Sequence, residues 1–190
     1  MIELTHLEKR AISYLNFKGE VTEEQLKLVQ TGISEVKRYS RPQFVFRFLK
    51  LEENSEGHLE VDAPLNICYD SLQKLFRAKN SNSVCILVST LGPAIDKRVS
   101  QLANIDSGKM ILFDACSNAY IEEETNRFQE RLNLGEETFR FAPGYGDVPL
   151  EVQREIFGLM PEIKKIGIEL DECNLMHPFK SMTGFIGFKS

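Results

Sequence analysis

Phe139-Arg140-Phe141-Ala142-Pro143-Gly144-Tyr145-Gly146-Asp147-Val148-Pro149-Leu150 is the stretch around which the rest of the chain is read. It sets one fixed cation beside a Pro-Gly turn, an aromatic hydroxyl and the expected start of a helix. The Arg140 guanidinium is a planar fork that holds a carboxylate through two parallel hydrogen bonds, which a lysine ammonium does less specifically. Pro143 fixes its own φ and biases Ala142 towards extended backbone, while Gly144 permits a left-handed turn and close approach of a ligand to the main chain. Tyr145 adds a flat ring and a hydroxyl. Pro149 suits the first turn of a helix predicted over Val148 to Phe157, with Asp147 at its positive end. By pattern alone the commoner reading is a plain strand-turn-helix junction with a surface arginine and a core tyrosine.

The run Arg140-Phe-Ala-Pro-Gly-Tyr145 resembles the R-x-A-P-G-Y signature of the activation domain of cobalamin-dependent methionine synthase, a module that binds S-adenosylmethionine for reductive reactivation. The tail agrees. Ile166-Gly-Ile-Glu-Leu170 and Met176-His-Pro-Phe-Lys-Ser-Met-Thr-Gly184 are similar to the family's "IGV-x-L … M-x-P-x-x-S-V-S-G" ending, and fainter echoes fall at Leu15–Gly19, Ser89–Pro93 and Asp114-Ala115. The resemblance implies an α+β fold: a single C-shaped domain over residues 1–190, with helices surrounding a central antiparallel sheet and the ligand in a shallow groove. It further implies that Arg140 holds the methionyl carboxylate, that Ala142 and Gly144 offer backbone groups, and that Tyr145 lines the same pocket. The family places an acidic ligand contact on the long helix, where a gapless comparison puts Asn118, with Glu122 one turn later. Gly146 stands where proline is frequent in the family, and longer family members carry an additional aromatic contact beyond the position of Ser190.

Upstream of the signature, a long helix is predicted from about Lys109 to Leu132, with Leu112, Ala115, Ala119 and Phe128 facing a sheet and Glu122-Glu-Glu124 forming a solvated acidic face. Val84–Val88 is a continuous apolar run of the kind found mid-sheet, and Thr90-Leu-Gly-Pro93 turns into a helix carrying Ile95, Val99 and Leu102. Asp70 starts a short helix through Ala78. Phe44 to Leu51 alternates with period two, and with Leu59, Val61 and Ala63 beyond Asn54–Gly57 it reads as an antiparallel hairpin. Its row of Phe44, Phe46 and Phe48 is read as a sheet face packed under helices. Thr5 caps a first helix ended by Gly19, and Thr22 with Gln25 makes a capping box for a second through Tyr39. The polar faces of these two helices are read as solvated charge.

Downstream, Ile166–Leu170 reads as a strand and a final strand lies near Phe185–Phe188. His177, with no acid visible beside it in sequence, reads as structural rather than catalytic. Cys68, Cys85, Cys116 and Cys173 form no C-x-x-C pair, which argues against a metal knuckle and for reduced, mostly buried thiols in a cytoplasmic protein. A net charge of -5 argues against general affinity for nucleic acid or an anionic membrane. No run near Met1 resembles a signal peptide and none reaches the length of a membrane span. No phosphate-cradling glycine motif, nucleophile elbow or H-E-x-x-H is present.

These readings lead to an expected S-adenosylmethionine-binding component that supports reductive methylation of cob(II)alamin. The cobalamin would be carried by the cobalamin-binding module of a methionine synthase acting in trans, with a flavodoxin-like reductant supplying the electron. Two alternatives stay open: an interaction or scaffold domain of the same fold that has lost the ligand, and an independent small-molecule methyltransferase.

Overall fold

The apolar run at Val84–Val88 becomes the centre of the sheet, because a strand covered on both faces needs no polar alternation. The computed structural model describes residues 3–17 and 19–190. Met1, Ile2 and Lys18, which belong to the N-terminal stretch read for a signal peptide and to the Leu15–Gly19 echo, lie outside the described residues. Strand β3 (Ser83–Thr90) is buried at every position. It pairs antiparallel with β1 (Gln43–Glu53) on one side and with β6 (Ser181–Phe188) on the other, and β2 (Leu59–Val61) extends β1, giving the order β2-β1-β3-β6. The predicted hairpin and final strand are both present; β1 and β6 run longer than the sequence pattern suggests, while β2 stops at Val61, short of Ala63. A small hairpin of β4 (Glu169–Leu170) and β5 (Met176–His177) stands beside them.

Helices α1 (His6–Leu15), α2 (Glu23–Tyr39), α4 (Pro93–Ala103) and α5 (Ser107–Leu132) share one core built on Val29, Val36, Leu91, Ile95, Phe113 and Ala119. Helices α3 (Asp70–Ala78) and α6 (Val152–Leu159) share a second with the sheet, built on Leu72, Phe76, Ile86, Ile156 and Phe185. The fold is α+β, with helices around a central antiparallel sheet.

Several expectations change in detail. Both capping boxes are present, at Thr5 with Glu8 and at Thr22 with Gln25, but Asn16 in the left-handed conformation terminates α1 ahead of Gly19. The segment Ile166–Leu170 is not a strand. Pro161–Ile166 forms a 3₁₀ helix closed by Gly167 at φ 76°, and only Glu169–Leu170 pairs. Cys68 and Cys173 are exposed; Cys85 and Cys116 are buried, and burial pushes both thiols up to about 12. The phenylalanine row is only partly covered: Phe44 stacks on Phe128 of α5 at 4.3 Å, while Phe46 and Phe48 remain 41% and 49% exposed. No helix among the described residues is long and apolar enough to cross a membrane.

The helix after the signature begins at Val152 rather than Val148, with Pro149 and Leu150 in turns that lead into it. Asp147 therefore does not cap it. Its Oδ1 instead accepts the Ser71 N–H (3.2 Å), supplying from a distance the side-chain cap that the start of α3 lacks. Ser71 holds the Asp147 carboxyl below its ordinary value of 3.8. A depressed carboxyl stabilises the fold above its unfolded pKa, and that contribution is lost as pH falls through the folded one. The melting temperature is thus expected to fall on acidification from pH 5 to pH 3, and to fall less steeply in Asp147→Asn; a thermal melt series in that window checks it.

Candidate functional site

The signature is positioned by pairing, although it forms no full strand. The Thr138 N–H donates to the Gly187 carbonyl (2.8 Å) and the Gly187 N–H donates to Thr138 Oγ1 (2.9 Å), and Phe141 and Phe185 exchange both main-chain bonds (2.9 and 2.8 Å). The segment 137–141 thereby occupies the outer edge of β6. Between those two clamps lies Arg140, and its stem crosses Gly184, where a Cβ would meet Arg140 Cγ and lie 2.9 Å from Cδ. Only glycine leaves room for the arginine to lie across the strand.

The guanidinium is then held by α5. Nη1 donates to Gln129 Oε1 (2.6 Å) and Nη2 to Asn126 Oδ1 (3.0 Å). Gln129 Nε2 in turn donates to Glu137 (2.8 Å), which fixes the amide so that its oxygen faces the arginine. No carboxylate among the described residues lies within 4 Å of Arg140. Burial pushes the guanidinium below its usual value, with Glu122 pulling it back up from further off. The cation is thus half-buried and oriented by neutral oxygens, so its charge remains available to an anion.

After Phe141 the chain turns. Tyr145 N–H closes onto the Ala142 carbonyl (3.4 Å) across Pro143 and Gly144, and Gly144 has φ 89°, the conformation that the third residue of a type II turn requires. Gly144 N–H is spent on the Val148 carbonyl (2.8 Å), whereas the Ala142 N–H and the Gly144 carbonyl have no partner among the described residues. Tyr145 is 69% exposed at the end of this turn. An exposed tyrosine and a half-buried arginine invert the plain junction reading, in which the arginine was the surface residue and the tyrosine the core one.

Arg140 separates two hollows. One, of about 250 Å³, is lined by Phe139, Arg140, Phe141, Ala142, Tyr145, Met182 and Thr183. The other, of about 300 Å³, is bounded by Asn126, Gln129, Glu137 and Arg140. A wider cleft of about 800 Å³ between α2 and α4 contains no signature residue and no unpartnered signature group. Arg140, Ala142 and Tyr145 thus line one groove, with Gly144 in the turn that shapes it.

Helix α5 walls the second hollow through Asn126 and Gln129. Asp114, Asn118, Glu122, Asn126 and Gln129 recur at spacings of three and four and so share one stripe. Asn118 does not offer a free polar group: its Oδ1 accepts from Lys180 Nζ (2.7 Å), which also pairs with Asp114 (2.7 Å). Glu122 is the acid nearer the signature. It is not part of a solvated face, for it pairs with Arg10 (2.7 Å) and accepts from the Tyr14 hydroxyl, while Glu123 and Glu124 pair with Arg127. Burial first, and then the Glu122 bond, push the Tyr14 hydroxyl up to about 12. The polar face of α1 is thus a clasp on α5.

Sequence reasoning overlooked Asn126, Gln129, Glu137, Arg10 and Tyr14. The first two continue the Asp114–Asn118–Glu122 stripe and were legible from it; the other three depend on tertiary placement. Gln129→Leu removes one of two bonds to the Arg140 cation, and is expected to weaken binding of a carboxylate ligand by about 1 kcal/mol while leaving the melting temperature nearly unchanged. Titration of the variant beside the wild type checks it. His177 also has the partner that its sequence neighbours hide, since its Nε2 lies 3.0 Å from Asp171 Oδ2 across the β4–β5 hairpin.

No family model and no curated protein matches this chain. Among solved structures, the crystal structure of the MetH reactivation domain bound to AdoHcy is similar over 95% of this chain and 75% of that one, with a TM-score of 0.69 and 14% identity. The two share a fold.

Proposed function

We propose that the groove at Arg140 binds S-adenosylmethionine, and that the chain serves as the activation component of a corrinoid methyltransferase, a cobalamin-dependent methionine synthase whose cobalamin-binding module acts in trans. The observation that carries this reading is the Arg140 guanidinium, oriented by Asn126 and Gln129 and free of any carboxylate among the described residues. The residues fit an amino-acid-like ligand. Arg140 takes the carboxylate, the Ala142 N–H and the Gly144 carbonyl serve a donor and an acceptor on the same molecule, and Tyr145 and Phe139 give apolar walls to its uncharged parts. Glu122, clasped by Arg10 and Tyr14 and acting on the Arg140 cation from further off, is the acid on α5 proposed to serve a positive ligand group. The fold shared with a reactivation domain that has AdoHcy bound supports the same ligand class.

When bound, S-adenosylmethionine supplies an electrophilic methyl group, and the corrinoid partner with a flavodoxin-like reductant supplies the electron-rich cobalt. This chain binds and orients the donor in a groove open enough for a second macromolecule to reach the methyl. The reading is tested by adding the protein and S-adenosylmethionine to a cob(II)alamin-loaded cobalamin module with a reductant. Formation of methylcobalamin, followed by its absorbance, is expected only when this chain is present. Equal rates without it would remove the proposed role.

A further inference from the structure

Strand β1 is an open edge over most of its length. β2 pairs only with Leu51, Glu52 and Glu53, and β3 covers the other side of β1. The Leu51 N–H donates to the Asn82 carbonyl (2.9 Å). Antiparallel residues alternate in the edge to which they bond, so Val45, Arg47 and Leu49 also bond towards β3, while the N–H and C=O groups of Phe44, Phe46 and Phe48 point outward. These outward groups have no partner among the described residues. The open stretch ends at Lys50, whose N–H is capped by Asp62 Oδ1 (3.0 Å).

Edges of this kind are usually blunted by proline, a bulge or a charge. Phe44-Val-Phe-Arg-Phe-Leu49 contains no proline or glycine, and its one charge, Arg47, is paired with Glu162 (3.1 Å). Phe46 and Phe48 stand half-exposed on one face, their rings 5.2 Å apart. The geometry points to a second copy of this chain as the occupant, paired antiparallel through β1 about a two-fold axis at Phe46. In that register Phe46 faces the second copy's Phe46 and Phe44 faces its Phe48, each pair exchanging both main-chain bonds. Arg47 then lies opposite Val45. Moving the axis one residue to Arg47, a slide of two residues that keeps the same groups pointing outward, would set Arg47 against the other copy's Arg47, and like charges directly opposite are unfavourable. Every outward aromatic thus meets an aromatic and no cation meets a cation, as a two-fold interface requires. The opposite edge of the sheet carries the signature segment, three strand spacings or about 14 Å away, so the groove stays open in the dimer.

Sedimentation equilibrium across a concentration series, with amide hydrogen exchange at its two ends, tests this. The mass is expected to rise from 21.7 kDa towards twice that value. The amides of Phe44, Phe46 and Phe48 are expected to be protected in the dimer and to lose protection on dilution, while those of Val45, Arg47 and Leu49 stay protected throughout. Phe46→Lys should hold the chain at the monomer mass with an unchanged circular dichroism spectrum. A monomer at all concentrations, or a dimer in which the three phenylalanine amides exchange freely, overturns the inference.

Discussion

Arg140→Ala is expected to weaken S-adenosylmethionine binding by about 2–3 kcal/mol, roughly 30- to 150-fold in Kd. The magnitude is that of removing a charge-assisted, bidentate partner from a half-buried site, where water does not replace the lost bonds well. The fold should survive. Arg140 makes no ion pair within 4 Å among the described residues, and the backbone clamps on either side belong to Thr138, Phe141, Phe185 and Gly187. Removing the arginine leaves two amide oxygens, on Asn126 and Gln129, with open access to solvent through the neighbouring hollow. Arg140→Lys should fall between, since an ammonium keeps the charge and loses the fork. A folded alanine variant that binds as tightly as wild type would place the carboxylate elsewhere.

Gly184→Ala is expected to cost about 1–3 kcal/mol of stability, the usual range for overpacking, and to weaken ligand binding about as much as Arg140→Ala. The added methyl would meet Arg140 Cγ and lie 3.2 Å from the Phe141 carbonyl oxygen. That carbonyl accepts from Phe185 and gives way only if the clamp opens, so the arginine must move instead. Once displaced, its guanidinium leaves Asn126 and Gln129. The double variant Gly184→Ala/Arg140→Ala should then bind no worse than either single one, because both changes remove the same interaction. Melting curves and titrations on the three variants measure both effects; additive losses would separate the glycine from the arginine.

Local signals carried much of the fold. The apolar run at Val84–Val88, the alternation at Phe44–Leu51 and the capping boxes at Thr5 and Thr22 each specify one element with little help from outside. Where an element depends on what it touches, the sequence misleads. Ile166-Gly-Ile-Glu-Leu170 alternates like a strand, but Pro161 and Gly167 bracket a 3₁₀ turn, and only Met176 and His177 are available for pairing. Asp147 and Pro149 look like the start of a helix, yet the carboxylate is taken by Ser71, an interaction over a separation that no local pattern encodes. The site divides in the same way. The signature places Arg140, Ala142, Gly144 and Tyr145 close together in sequence and in the fold, whereas the amides that aim the arginine and the clasp of α1 on Glu122 arise from packing between distant segments. Both residues that the resemblance offers for the acidic contact are engaged in the fold, Asn118 by Lys180 and Glu122 by Arg10 and Tyr14.

Calorimetric titration of the wild-type protein with S-adenosylmethionine, alone and again with the cobalamin-binding module present, tests the central claim most directly. Saturable binding at one site per chain is predicted, with a carboxylate-lacking analogue binding at least about tenfold more weakly, the weakening expected when a charged hydrogen-bonded partner is removed. Absence of binding under both conditions, or equal affinity for the analogue, would contradict the assignment of the groove at Arg140.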